Sequence, residues 1–211
     1  MSPEHKKGSV MKTSPSRIGG TGSTFTSNFA RSAAALLLLA ALSPLRAEPG
    51  NDNRAPAVPP SLVVPAGNKV SFYANAVGVQ IYRATASTNS VTGFLWTFFA
   101  PEAVLFDNDG NIVGIHYAFA GPTRPAWETE SGSRVVGART VPPVTVNATA
   151  IPWLILSAVS TNTIGPGVLA GTTYIQRVNT TGGLAPATLP TAAGQEARVS
   201  YTAEYYFYRK Q

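Results

Sequence analysis

Across residues 61–211 apolar and polar side chains alternate in short runs, the period of a strand with one face in a core. The C-terminus is plainest: Val199, Tyr201, Ala203, Tyr205 and Phe207 alternate with Ser200, Thr202, Glu204, Tyr206 and Tyr208. This predicts a strand whose first set is buried. Val70, Phe72 and Ala74 alternate with Lys69, Ser71, Tyr73 and Asn75, and Val79 and Ile81 with Gln80 and Tyr82. The phase slips by one around Val77-Gly78, which a β-bulge at Gly78 would produce. Phe94 to Phe99 is an aromatic-rich run closed by Pro101 that suits a strand buried on both faces. Ala103–Phe106 and Ile112–Tyr117 flank Asp107-Asn108-Asp109-Gly110-Asn111, and Asp-Gly supplies the positive φ of a hairpin turn. Arg134–Ala138, Val144–Val146, Trp153–Ser157 and Tyr174–Asn179 are further strands, set apart by Pro142-Pro143, Pro152 and Gly165-Pro166-Gly167. Gly121 to Gly132, with Trp127 inside it, reads as a long turn-rich segment. No stretch shows a helical period. The expectation is therefore all-β: an antiparallel β-sandwich or barrel-like single domain with long Pro/Gly-rich loops.

A different pattern precedes it. Ala33 to Leu42 is an unbroken apolar run of ten residues behind a basic, Ser/Gly/Thr-rich stretch carrying Lys6, Lys7, Lys12, Arg17 and Arg31. A membrane-spanning helix needs about 20 residues, whereas about ten is the length of a signal-peptide core. Ser43-Pro44 breaks the run, and Leu45-Arg46-Ala47 places a small residue at a cleavage point. Residues 1–47 thus read as a secretory signal peptide, with Met11 an alternative start. Residues 48–60, rich in Pro, Gly and Asn, read as a flexible or extended lead-in, and residues 61–211 as one β-rich domain. No twin-arginine pair is present, so the expected destination is secreted or periplasmic by the general secretory route.

Removing the leader changes the charge picture. The chain holds 16 Lys+Arg against 10 Asp+Glu, but six of those bases and one acid belong to residues 1–47. The remainder is nearly neutral and its bases are scattered, so nucleic acid is not an expected partner. The absence of cysteine excludes disulfides, thiolate catalysis and Cys-ligated zinc.

Candidate chemistry is sparse. His116 is the single histidine after the leader, which leaves no set for a multi-histidine metal site; neither metal nor cofactor is expected. Asp107-Asn108-Asp109-Gly110 has carboxylates for calcium but lacks the EF-hand's later Gly and Glu, so a hairpin turn is the stronger reading. His116 with Glu128 and Ser133 supplies the residue types of a hydrolytic triad, without the Gly-x-Ser-x-Gly elbow. Among the tryptophans, Trp96 and Trp153 have apolar neighbours and read as core. Trp127 stands in a turn-rich segment and reads as the accessible one, able to stack on a sugar ring or another apolar ligand.

Several phrases then fall into a recognisable order: Gly78-Val79-Gln80-Ile81-Tyr82; Trp96 with Pro101-Glu102-Ala103 and Leu105-Phe106-Asp107; Gly114-Ile115-His116; Gly121-Pro122-Thr123 with Trp127-Glu128; and Gly132-Ser133. Pro152-Trp153-Leu154-Ile155-Leu156, Tyr174 to Thr180 with Gly182-Gly183, and Tyr201 to Tyr208 complete it. From about Pro60 to Tyr208 the chain resembles the DUF3455 family of secreted bacterial and fungal proteins. The resemblance implies export and a single domain, and no particular activity. Some fungal relatives carry a malate dehydrogenase label, but no Gly-x-Gly-x-x-Gly follows a strand here and no βαβ alternation occurs. Arg124-Pro125-Ala126 separates Thr123 from Trp127, where the family pattern leads one to expect adjacency. For His116 and Trp127-Glu128 to share a site, this loop must fold out of the way.

The functional expectation is an exported, non-catalytic domain that binds a ligand or surface, such as glycan or a cell-envelope component, through Trp127, His116 and Glu128. The alternatives are a secreted hydrolase using His116 with Glu128 and Ser133, and a structural or self-assembling envelope protein.

Overall fold

Alternation at the C-terminus becomes the seam of a closed barrel. The structure, a computed structural model, describes residues 55–121, 124–159 and 167–211; the leader lies outside them, as does most of the lead-in. The described strands are β1 (Asn68–Ala86), β2 (Phe94–Phe106), β3 (Ile112–Ala118), β4 (Pro125–Thr129), β5 (Arg134–Arg139), β6 (Leu154–Ala158), β7 (Thr172–Gly182) and β8 (Glu196–Lys210). Each pairs antiparallel with the next, and β1 also pairs with β8 from Asn68↔Lys210 to Arg83↔Glu196, so the sheet closes on itself. Of the two all-β architectures expected, the barrel is the one formed.

The side-chain period of two then sorts residues into inside and outside. On β8, Tyr201, Ala203, Tyr205 and Phe207 face the core, as the sequence pattern predicts. Between Asp107 and Asn111 the expected hairpin turn forms, with Gly110 at φ +83°. Asp107 Oδ1 accepts from the Asp109 and Asn111 amides at 2.9 and 2.8 Å, an Asx-type turn. Those bonds, led by the Asn111 side chain on Oδ2, hold the Asp107 carboxyl below the usual carboxylate range.

Five expectations need correction. Pairing runs without a break through Gly78, and the β1 irregularities lie at Val70/Phe72 and Ile81/Tyr82. Gly78 is there because the neighbouring strand comes close: a Cβ would stand 2.1 Å from the Glu102 carbonyl oxygen and 2.5 Å from Ala103 Cα. Pro101 does not close a strand, since β2 passes through it to Phe106. β3 pairs with β2 only from Glu102 onward, so Pro101 sits on a part of β2 with one neighbour, where a missing N–H is tolerated. That same stretch is not buried on both faces; Leu95 and Phe98 are exposed. Finally, the segment read as a long turn contains β4. Val144–Val146, expected as a strand, contributes one isolated bridge, Val144↔Trp153.

Outside the barrel a second apolar cluster lies on β1, β7 and β8, formed by Val70, Tyr73, Val178, Tyr206 and Tyr208. The N-terminal segment covers it: Val58 and Val64 pack against it, and a 3-10 turn at Pro60–Leu62 buries Leu62 completely. Gln176 Nε2 donates to the Leu62 carbonyl at 2.6 Å, and the Tyr208 hydroxyl donates to Gln176 Oε1, so the strap is tied as well as packed. Elsewhere the outer face is charged, with Arg198–Glu102 at 2.7 Å and Arg83–Glu196 at 3.2 Å. Among the described residues no helix is long and apolar enough to cross a membrane.

Candidate functional site

Strand register sets one row of residues around the barrel wall. Tyr201 stands opposite Gly78, Gly78 opposite Ala103, Ala103 opposite His116, and His116 opposite Trp127. Gly78 and Ala103 leave the β1–β2 side of this row thin, and the aromatic rings occupy the space. Trp127 is 1% exposed. Its indole stacks on the His116 imidazole at 4.5 Å and 10°, and meets Tyr205 edge-on at 5.2 Å. Gly137 makes room for it, because a Cβ there would lie 3.1 Å from Trp127 Cζ3.

The imidazole has a defined proton. His116 Nδ1 lies 2.8 Å from the Ala126 carbonyl oxygen, which can only accept, so Nδ1 carries the hydrogen and Nε2 the lone pair. Burial pushes the His116 pKa down to about 3; the Arg177 charge adds to this and the bond to Ala126 opposes it. The ring is neutral at any physiological pH.

Around it lie polar side-chain atoms without close hydrogen-bond partners. Gln80 Nε2, Trp127 Nε1 and the hydroxyls of Tyr201 and Tyr205 are buried and make no hydrogen bond. The Tyr201 hydroxyl lies close enough to the side chains of Tyr205 and Gln80 for each to act on it. Burial drives the Tyr201 pKa well above that of free tyrosine and raises that of Tyr205, while Arg177 pulls both downward. Arg177, on β7 opposite Tyr205 and Leu154, directs Nε and Nη2 to one acceptor, the Pro152 carbonyl, at 3.2 and 2.8 Å.

Of the residues singled out from the sequence, His116 and Trp127 come together inside the barrel. Between β3 and β4 the Phe119 N–H donates to the Arg124 carbonyl at 2.8 Å. Glu128 does not join them. It follows Trp127 on β4 and so points outward, where it accepts from the Tyr117 hydroxyl at 2.6 Å and lies 3.7 Å from Arg134 Nη1. Ser133 is buried after the β4–β5 turn, its Oγ unpartnered, packed where a Cβ on Gly167 would stand 2.7 Å from Ser133 Cβ. No bond links Ser133 to His116 or Glu128 among the described residues.

The tryptophans reverse their expected places. Trp127, expected to be accessible, is the buried one, because β4 is too short for its alternation to show between Gly121 and Gly132. Trp96 is half-buried and donates Nε1–H to the Thr188 carbonyl at 2.8 Å, and Trp153 lies half-buried against the outer cluster. Sequence reasoning also missed Gln80, Arg177, Tyr201 and Tyr205 as site residues, although each stands in a phrase that carries the family resemblance. An inward-facing Arg between Gln176 and Val178 was the available signal.

Among the described residues, fold and interior define a closed, eight-stranded antiparallel barrel with an aromatic core. The chain belongs to DUF3455, a family of proteins of unknown function, which it matches over residues 65–209. No curated protein and no solved structure matches it.

Proposed function

We propose that this chain is an exported, non-catalytic ligand-binding barrel whose site is the polar part of its interior. One observation carries the reading: Gln80 Nε2, Trp127 Nε1 and the hydroxyls of Tyr201 and Tyr205 are buried in the barrel wall without a close hydrogen-bond partner. Each buried donor left unmade costs about 1–3 kcal/mol, which an acceptor-bearing occupant recovers. An eight-stranded barrel is wide enough either to be filled by side chains or to hold one small ligand. Export is supported by the leader-like residues 1–47. The glycan and cell-envelope reading retains export but loses its surface platform, since the Trp127 ring lies inside.

The hydrolase reading has less support. Glu128 is on the opposite face of the wall from His116, and an imidazole with a pKa of about 3 is a weak general base near neutrality. Tryptophan emission and Tm, followed across small sugars, phenols, amides and carboxylates, test the proposal. A binder should raise Tm and perturb the emission, and Trp127→Phe should abolish the emission change while Trp96→Phe keeps it. If no class moves either signal, the interior is structural and the reading falls.

A further inference from the structure

We propose that this chain pairs with a second copy of itself through the open edge of β2, antiparallel and about a two-fold axis. The surface is independent of what the barrel interior holds. β3 joins β2 only from Glu102 onward, so among the described residues 94–101 have β1 as their single neighbouring strand. Two bonds fix the direction of the backbone groups there. The Ser87 N–H donates to the Gly93 carbonyl and the Ala84 N–H to the Gln195 carbonyl, each at 2.9 Å. Ala84 therefore turns toward the β8 side and away from Trp96, its partner on β2. Alternation along an antiparallel pair then turns the N–H and C=O of Phe94, Trp96 and Phe98 away from β1. The Phe94 carbonyl accepts from the Thr92 hydroxyl at 3.2 Å, and no described strand takes up the others.

Backbone donors and acceptors at strand spacing are met by another strand. A lipid surface fits less well, because an open strand edge in hydrocarbon keeps those groups unsatisfied. Charged side chains, the usual guards of such an edge, are missing from residues 84–101. Leu95 and Phe98 are 38% and 37% exposed, and Val91 at the hairpin tip is 96% exposed. The charges beside this stretch are already matched, Arg83 with Glu196 and Arg198 with Glu102 and Glu196. A second copy thus sets apolar against apolar and brings no unpaired like charge. With the axis at Trp96, each copy's Phe94 lies opposite the other's Phe98, and Leu95 opposite Thr97. Aromatic cross-strand pairs stabilise such a ladder. Arg83 packs over the Phe99 ring at 3.3 Å, holding the bulged end of the stretch in place. That bulge and Pro101 end the pairing, so two copies use up the edge and the assembly closes as a dimer.

Sedimentation equilibrium of the full chain over about 1–100 µM, the range expected of a small interface, tests this. The native chain should show a monomer–dimer equilibrium and no larger species. Thr97→Lys and Leu95→Lys, both at exposed positions of the edge, should each weaken association at least about tenfold by setting like charges together. Thr97→Glu should do the same alone, and an equal mixture of the Thr97→Lys and Thr97→Glu chains should dimerise again. That rescue separates lost pairing from lost folding. Ile115→Lys changes an equally exposed apolar residue on β3, which is paired on both sides, and should leave the equilibrium unchanged. A native chain that stays monomeric at 100 µM, the top of that range, would overturn the proposal. So would a dimer that tolerates both lysines, or one that Ile115→Lys disrupts as strongly. A monomeric chain that binds phosphatidylcholine vesicles through Val91 would overturn it too, giving the hairpin to a lipid surface.

Discussion

His116 shows how one side chain links packing to pH. Its folded pKa of about 3 lies below the value of about 6.5 in an unfolded chain, so the unfolded state takes up the proton first as pH falls. The contribution is complete above about pH 6.5 and is lost as pH falls toward about 3, by up to about 1.4 kcal/mol per pH unit. Urea unfolding between about pH 7 and pH 4 should give a shallower acid limb for His116→Gln than for the native chain. Parallel limbs would mean the imidazole protonates inside the barrel without cost. Trp127, stacked on that ring, should cost about 3–5 kcal/mol when cut to Ala, read as a fall in the urea midpoint. The candidate residues were legible as residue types, and His116 was found by elimination. Their direction was not legible: the same alternation that carries Trp127 inward turns Glu128 outward, and this parity was hidden by reading the segment as a turn.

At the scale of elements, the long strands could be read from sequence and the short ones could not. β8 announces itself because five apolar or aromatic positions alternate without interruption. β4 has five residues and begins on a proline, too few positions to show a period. Gly78 illustrates a second gap, since a glycine in a strand signals either a bulge or a close neighbour, and only the pairing distinguishes them. Gly78→Ala drives a methyl into the Glu102 carbonyl, so β1 and β2 must separate. The expected loss is about 3 kcal/mol or more, measured by thermal unfolding; a native Tm would show that the strands have room. The N-terminal strap makes a different prediction. Leu62→Ala should cost about 2–5 kcal/mol and expose the outer faces of Tyr206 and Tyr208 to solvent, seen as faster amide exchange in β8. Unchanged exchange there would mean the strap adds no protection.

For the whole molecule, closure is the decisive event. The seam joins β1 to β8, near the two ends of the described chain, and the long walls β1, β7 and β8 meet there. Pairing so distant in sequence forms late and slowly, so refolding should fall in the millisecond-to-second range typical of non-local β topologies. Native-state exchange should find β1 and β8 the most protected, with the β5–β6 wall, paired over Gly137↔Ala158 to Arg139↔Leu156, the least. The sequence by itself determined the strand-forming periodicity, the all-β class, the family phrases and the near-neutral charge outside residues 1–47. Those properties are local, written in composition and in the period of two. Only the tertiary structure decided that the sheet closes, that Trp127 is inside while Trp96 and Trp153 are not, and that Glu128 faces away from His116. These depend on which strands become neighbours and in what register, and a period of two specifies two faces without saying which one the closing sheet will enclose.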